Sequence, residues 1–422
     1  MHRMFAALLA AVSCVSVAQA QDIATTAAHA PPLLTLDQAV AAAGGGAPAA
    51  DAARAVIAAA EAGRTVAGLR PNPTVITEVE NVAGTGPYGA FRGAETTVGL
   101  SIPIELGGKR SARIAIADAR TTRAMLAAAI AKADIRLQVT ELYVNAVAAE
   151  RRLTTALDQA RIANEALNAA RVRVRAGRAS PIEEQRADVT RLNAEAAAGN
   201  ARRLLDAARL NLGRRIGHSV TGPLDPAALE KLPAAYRPQL EPTAEGTLAL
   251  AAADADLAIA DAGVRLARSQ RVPDVTVGPG VRRFSESNDV AALFSISVPL
   301  PLFNSGRAAV GQASAERTRA EARRRMTALD VEQAILDART EADNAATNAR
   351  TANGPALAAA QEAARIARIG YREGKFGQLD LLDAERTLAE TRLAAIDALV
   401  AYQNARARLE RLTAPAPDEQ GN

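Results

Sequence analysis

The 422-residue sequence predicts a mainly α protein with transmembrane β-strands, built as two copies of one plan. Three observations carry this reading. Lys109 to Ala176 contains neither Gly nor Pro and is rich in Ala, Arg, Leu and Glu, all strong helix formers. Roughly 68 residues of helix reach about 100 Å, so this helix must pack along other long helices rather than around a globular core. Within it Ile130, Leu137 and Val144, and then Leu153, Ala160, Leu167 and Val174, recur at heptad spacing, the seam of a coiled coil. Finally, the order helix, strand pair, long helix, tight tip, returning helix occurs twice.

Taken in order, residues 1–20 read as a secretory signal: Arg3 is basic, Phe5 to Val12 is apolar, and Ala18-Gln19-Ala20 fits a small-residue cleavage site. The single Cys, Cys14, lies inside it. Cleavage after Ala20 is the expectation, with lipidation of Cys14 as the alternative. Residues 21–72 hold an irregular start and a first helix, Leu36 to about Leu69, loosened at Gly44-Gly45-Gly46-Ala47-Pro48 and ended by Arg70-Pro71-Asn72-Pro73. Residues 73–104 hold the first strand pair. In its second strand Thr96, Val98, Leu100, Ile102 and Ile104 share one face, and Glu95, Thr97, Gly99 and Ser101 the other. Residues 105–217 form the first helical hairpin, turning at Gly177-Arg178-Ala179-Ser180-Pro181, where Gly stops one helix and Ser-Pro starts the next.

The second copy begins with a Pro-rich connection and a helix over 218–272, the latter running from Gly246 to Gln270. Residues 273–302 carry strands Val275 to Val281 and Val290 to Leu300, with Ser297-Val298-Pro299 echoing Ser101-Ile102-Pro103. The first and third strands alternate less cleanly, and Arg282-Arg283 stands near the end of the third. Residues 303–413 form the second hairpin: a helix from Arg307 to about Ile369, kinked at Gly354-Pro355, a tip at Gly374-Lys375-Phe376-Gly377, and a returning helix from Leu379 to Leu412. Residues 414–422 read as a disordered tail.

A net charge of +4 excludes an electrostatic argument for nucleic-acid binding. No later apolar run is long enough for a transmembrane helix. Four strands cannot close a barrel, and an open edge cannot sit in lipid. Two copies would give an eight-stranded barrel filled by side chains, and three copies twelve strands with room for a pore. The competing reading is a coiled-coil scaffold with a small soluble sheet.

The chain resembles the TolC-type outer-membrane efflux proteins over nearly its whole mature length. The residues that carry the likeness are Leu34-Thr35-Leu36-Asp37-Gln38-Ala39, the Pro-ended strands and both tips, above all Tyr371-Arg372-Glu373-Gly374-Lys375-Phe376-Gly377-Gln378-Leu379-Asp380-Leu381-Leu382-Asp383-Ala384. Arg70-Pro71-Asn72-Pro73, Glu78-Val79-Glu80-Asn81 and Pro103-Ile104-Glu105-Leu106-Gly107-Gly108-Lys109-Arg110 look like the heavy-metal-efflux, CzcC-like branch. The resemblance implies a homotrimer with a shared twelve-stranded barrel in outer-membrane lipid and a periplasmic α-barrel. Its tips would dock a periplasmic adaptor and an inner-membrane, proton-driven pump of the RND type. It implies no enzyme activity and no cofactor.

The same resemblance implies a pore constriction formed by Asp380 and Asp383, with Glu183 as an acidic gate residue of the first hairpin and Tyr371 as part of a gate latch. Phe376 stands where that latch has an Arg, so it cannot form in the same way. Acidic residues in a first helical turn also favour the positive dipole end without any pore. Gly177, Arg178, Ser180, Pro181, Gly374, Lys375, Phe376 and Gly377 are the candidate adaptor contacts, although turn chemistry alone accounts for the glycines. Gly107-Gly108-Lys109 is a helix start and not a phosphate loop. His2, His29 and His218 are too scattered for a metal cluster, and Arg323-Arg324-Arg325 reads as a solvated helix face. The functional expectation is an exit duct for heavy-metal cations. The alternatives are a duct for drugs or secreted proteins, or a periplasmic adaptor or scaffold.

Overall fold

The computed structural model describes residues 33–46, 48–233 and 243–417. The signal at 1–20 with Cys14, His2 and His29, part of the Pro-rich connection and the last residues of the tail lie outside the described residues. The first helix is two, α1 (Leu36–Gly46) and α2 (Pro48–Ala67). Thr35 and Gln38 start α1 with a reciprocal capping box: Thr35 N–H donates to Gln38 Oε1 at 3.0 Å and Gln38 N–H to Thr35 Oγ1 at 3.3 Å. Strands β1 (Thr74–Glu80) and β2 (Glu95–Ile104) lead into α3 (Lys109–Arg175), an uninterrupted helix of 67 residues. Helix α4 (Pro181–Ile216) returns along it, followed by the short α5 (Ala227–Glu230). The second copy comprises α6 (Leu248–Ser269), β3 (Val275–Phe284), β4 (Val290–Ser297), α7 (Arg307–Thr351), α8 (Leu357–Arg372) and α9 (Gln378–Leu412). A π-helical turn, Ala352–Ala356, separates α7 from α8 where Gly354 leaves helical geometry (φ −106°, ψ −106°) ahead of Pro355.

The strands form one antiparallel sheet in the order β1-β2-β3-β4, leaving β1 and β4 as free edges. Register puts Thr77, Val98, Val281 and Ala292 in one row and Glu78, Thr97, Arg282 and Ala291 in the adjacent row. Successive rows face opposite sides, so one face is apolar and the other polar. Arg282 thus belongs to the polar face, where it pairs with Glu80 at 2.9 Å and Glu95 at 2.7 Å. Arg283 falls on the apolar side only at the strand end, where its Nε donates to Asn288 Oδ1 at 3.1 Å. The weaker alternation of β3 has a local cause. Gly278-Pro279-Gly280 interrupts its ladder to β2 between the pairs Gly99–Gly280 and Ile102–Val277, because Pro has no N–H to donate. The last strand is shorter than the expected run to Leu300 because Pro299 and Pro301 end its pairing.

Below the sheet, α2, α3, α6 and α7 pack side by side in the order of the strands above them. Ion pairs join each neighbour: Arg64–Asp118 at 2.5 Å, Arg123–Asp256 at 3.0 Å and Arg317–Asp261 at 2.6 Å. Farther down, α3 lies between α4 and α9, and α9 packs on α8. At the changeover sits the main core, where Val139, Tyr143 and Val147 of α3 meet Leu212, Leu224, Leu229, Leu399 and Tyr402. Tyr143 is fully buried. Its hydroxyl donates to the Leu34 carbonyl at 2.5 Å and accepts from Asp225 N–H at 2.8 Å. Burial pushes its phenol up to about 12.

Both outer edges of this layer are exposed: Ala52, Ala55, Ala59, Ala62 and Val66 form a heptad row on α2, and Gly311, Ala315, Thr318, Met326 and Leu329 are exposed on α7. Lower down, Ile182, Val189 and Leu192 of α4 and Ile366 and Ile369 of α8 are exposed as well. Among the described residues no helix is long and apolar enough to cross a membrane.

Candidate functional site at the hairpin tips

The two tips are one motif used twice. In the first, Gly177 adopts φ 69°, Arg178 N–H donates to the Arg173 carbonyl at 2.9 Å and Gly177 N–H to the Val174 carbonyl at 3.0 Å. In the second, Gly374 adopts φ 73°, Lys375 N–H donates to the Gly370 carbonyl at 2.8 Å and Gly374 N–H to the Tyr371 carbonyl at 3.1 Å. These are Schellman closures, which require a left-handed residue at the helix end and hence Gly. Ser180 then caps α4, its hydroxyl accepting from Ile182 N–H at 3.5 Å, with Pro181 as the first helical residue. In α9 the cap is reversed: Gly377 N–H donates to the Asp380 carboxylate at 2.9 Å.

The acidic residues therefore have distinct surroundings. Asp380 is exposed and caps its own helix. Asp383, one turn on, is exposed and ion-paired with Arg386 at 2.9 Å. Glu183 is half-buried, and its Oε2 has no hydrogen-bond donor among the described residues. In the second tip the Nε2 of buried Gln378 is likewise unsatisfied. Among the described residues no group of three or more His, Cys, Asp or Glu is placed to hold a metal ion.

Arg173, Gly370 and Glu385 were not singled out by sequence. Arg173, in the last turn of α3, lays its guanidinium over the ring of Tyr371 in α8, 5.2 Å from the centroid. Tyr371 first, with the nearby Glu183 charge as a smaller contribution, holds that guanidinium above its ordinary pKa. A cation thus does meet Tyr371, but it comes from the first hairpin. Phe376 instead folds back onto Gly370, the counterpart of Arg173 in the repeat, where a Cβ would overlap its ring. The third residue is Glu385, buried in α9 and bidentate to Arg368, with Nη2 to Oε2 at 2.7 Å. The hydrogen bonding to Glu385 raises the Arg368 pKa. Higher up, Asp158 of α3 binds Arg161 at 2.6 Å and Arg392 of α9 at 2.8 Å, tying one hairpin to the other. Desolvation works against its charge, but those two guanidinium groups hold its carboxyl below the usual range. The sequence signal for Arg173 was its place four residues before the tip glycine, matching Gly370 in the second copy.

Residues 41–218 and 242–414 match the family described as Outer membrane efflux protein. The chain is 32% identical over 354 residues to the cobalt-zinc-cadmium resistance protein CzcC of Cupriavidus metallidurans, covering 83% of each. It is 29% identical over 257 residues to the nickel-cobalt-cadmium resistance protein NccC of Alcaligenes xylosoxydans xylosoxydans, covering 60% of this chain and 57% of that one. Among solved structures it superposes on CusC with a TM-score of 0.73 at 18% identity, over 90% of this chain and 92% of the other. The outer membrane protein VceC of Vibrio cholerae gives 0.71 at 18% identity, over 90% and 96%. The fold is that of the TolC-like channels.

Proposed function

The chain belongs to the outer membrane efflux protein family, and from that premise we propose that it is the outer-membrane duct of a tripartite, proton-driven efflux system exporting heavy-metal cations. The observation that carries the cargo is the relationship to a cobalt-zinc-cadmium resistance protein over 83% of both chains. Homotrimeric assembly is supported by the two free sheet edges, the exposed apolar and small residues on α2, α7, α4 and α8, and the unsatisfied Glu183 and Gln378 atoms at the tips. Neighbouring copies supply what each lacks, closing a twelve-stranded barrel with a pore.

The tips then form the periplasmic entrance. Gly177 to Pro181 and Gly374 to Gly377 present the adaptor contacts, through which the inner-membrane pump is engaged. Asp380, Asp383 and Glu183, repeated by symmetry, put a ring of carboxylates at the entrance and favour cations. Arg173 and Tyr371 hold the two tips of each chain together when the gate is shut. The deciding experiment is deletion of the gene, with growth measured against zinc, cadmium, cobalt, nickel, copper and silver beside a drug panel. Sensitivity confined to metals and restored by the intact gene supports the reading. Sensitivity to drugs alone keeps the duct and discards the metal cargo. Separately, an Asp380→Asn/Asp383→Asn channel in planar bilayers is expected to lose cation preference, and unchanged reversal potentials would remove these residues from the pore.

A further inference from the structure

The fold divides the run Arg323-Arg324-Arg325. Arg324 pairs with Asp254 of α6, and Arg325 with Glu321 at 3.3 Å. Arg323 has no side-chain partner among the described residues, and neither has Arg319, one turn earlier on the same face of α7. Across a furrow from them stands Arg120 of α3, equally without a partner among the described residues. Like charges four residues apart on a helix repel, so Arg319 and Arg323 are held together at some cost. The furrow has a volume of about 580 Å³. Its floor is α6, where Ala253, Ala260 and Gly263 carry nothing larger than a methyl group, and nothing lies within 4 Å of where a Gly263 Cβ would be. Two carboxylates border it. Asp256 is taken by Arg123 at 3.0 Å, and Glu316 accepts from Gln312 at 3.1 Å. With the Arg123–Asp256 and Arg324–Asp254 pairs neutral, Glu316 alone opposes three guanidinium groups, and two positive charges stay uncompensated.

Helix geometry tells which side of the layer the furrow opens on. Tyr143 of α3 meets the segments at Leu34 and Asp225. Ile116, which lines the furrow, precedes Tyr143 by about seven and a half turns and so lies on the opposite face of α3. Arg120 likewise precedes Arg136, which lines a cleft beside Thr35 and Asp225, by about four and a half turns. Segments packed around Leu34 and Asp225 would block a duct if they lay inside it. They mark its outer side, and the furrow its inner one. Arg120 is the twelfth residue of α3, and Arg319 and Arg323 are the thirteenth and seventeenth of α7. At about 1.5 Å per residue, all three lie roughly 17–24 Å from the sheet ends of these helices. Threefold repetition makes one furrow into a ring around the lumen.

We propose that Arg120, Arg319 and Arg323 form an oxyanion-binding site on the inner wall of the duct, one per chain, for a small anion carrying two or more negative charges. Guanidinium forks offer parallel N–H donors to phosphate and carboxylate oxygens, a dianion matches the two uncompensated charges, and the small side chains of α6 leave it room. The placement in the lumen rests on the duct reading above; the site itself does not. The test is calorimetric titration of inorganic phosphate and of citrate into the full-length protein in detergent at low ionic strength. The expected result is saturable binding of one or both anions, weakened about tenfold or more in Arg120→Gln, Arg319→Gln and Arg323→Gln. Binding should be unchanged in Arg325→Gln, whose side chain is committed to Glu321. Binding of phosphate alone, or of citrate alone, supports the site and narrows it to that oxyanion. No saturable binding of either, or an equal loss in Arg325→Gln, would overturn it. In planar bilayers, the anion that binds should lower the single-channel conductance of the parent and leave that of Arg319→Gln/Arg323→Gln unchanged. Open channels that bind the anion without any change of current would overturn the placement in the lumen. Channels without binding keep the duct and remove the site, whereas binding without channels keeps the site and removes the duct.

Discussion

Replacing Arg173 by Ala removes the contact between the two tips of one chain. The guanidinium lies 5.2 Å from the Tyr371 centroid, and both residues are half-buried. A cation over an aromatic ring is worth about 0.5–1 kcal/mol when exposed and about 2 kcal/mol when desolvated, so about 1–2 kcal/mol fits this site. In a trimer the loss is threefold, about 3–6 kcal/mol, which moves a closed–open equilibrium by about 10²–10⁴. The assay is single-channel recording in planar bilayers, where Arg173→Ala is expected to raise the open fraction sharply. Tyr371→Leu should do the same. Tyr371→Phe keeps the ring and should have a smaller effect. The double variant Arg173→Ala/Tyr371→Leu should add little to either single one, since both remove the same contact. An open fraction unchanged in Arg173→Ala, or fully additive effects, would refute the contact as a latch.

Other consequences can be checked in the same protein. Gly370→Ala forces the Phe376 ring off its seat and should cost about 1–3 kcal/mol locally; faster proteolysis or hydrogen exchange at residues 373–378 would report it. Arg368→Met leaves the buried Glu385 carboxylate unpaired, a loss of about 3–5 kcal/mol that Glu385→Leu should largely reverse in the double variant. Thermal unfolding measures both, and failure of that rescue would contradict the pairing. The folded-state pKa of Asp158 lies below its ordinary 3.8. Its ion pairs therefore stabilise the fold above that ordinary value, and the contribution is lost as pH falls through the folded value. Melting temperatures between pH 5 and pH 2 should accordingly fall less steeply for Asp158→Asn than for the parent.

The long helices and both tips were legible because local rules decide them. Sixty-seven residues free of Gly and Pro leave α3 no place to stop, and Gly177 and Gly374 stand where a left-handed residue is needed. The kink at Gly354-Pro355 was legible for the same reason. Strand limits were less so: the β4 end and the Gly278-Pro279-Gly280 gap depend on which backbone groups face a neighbouring strand, which a single segment does not reveal. At the tips, Asp380 could be read equally as a cap or a pore carboxylate, and it does cap its helix. Arg173 stands between Arg171 and Arg175, and nothing in the local sequence separates it from them. Only the packing of one hairpin against the other brings it to Tyr371.

The two hairpins differ as mechanical parts. Helix α3 is a single rod from the sheet to the first tip, so that tip keeps a fixed bearing on the membrane end. The outward route to the second tip is jointed at Ala352–Ala356, while α9 returns from that tip without a break. Arg173 therefore sits at the end of an unbroken rod, and Tyr371 at the end of a jointed one.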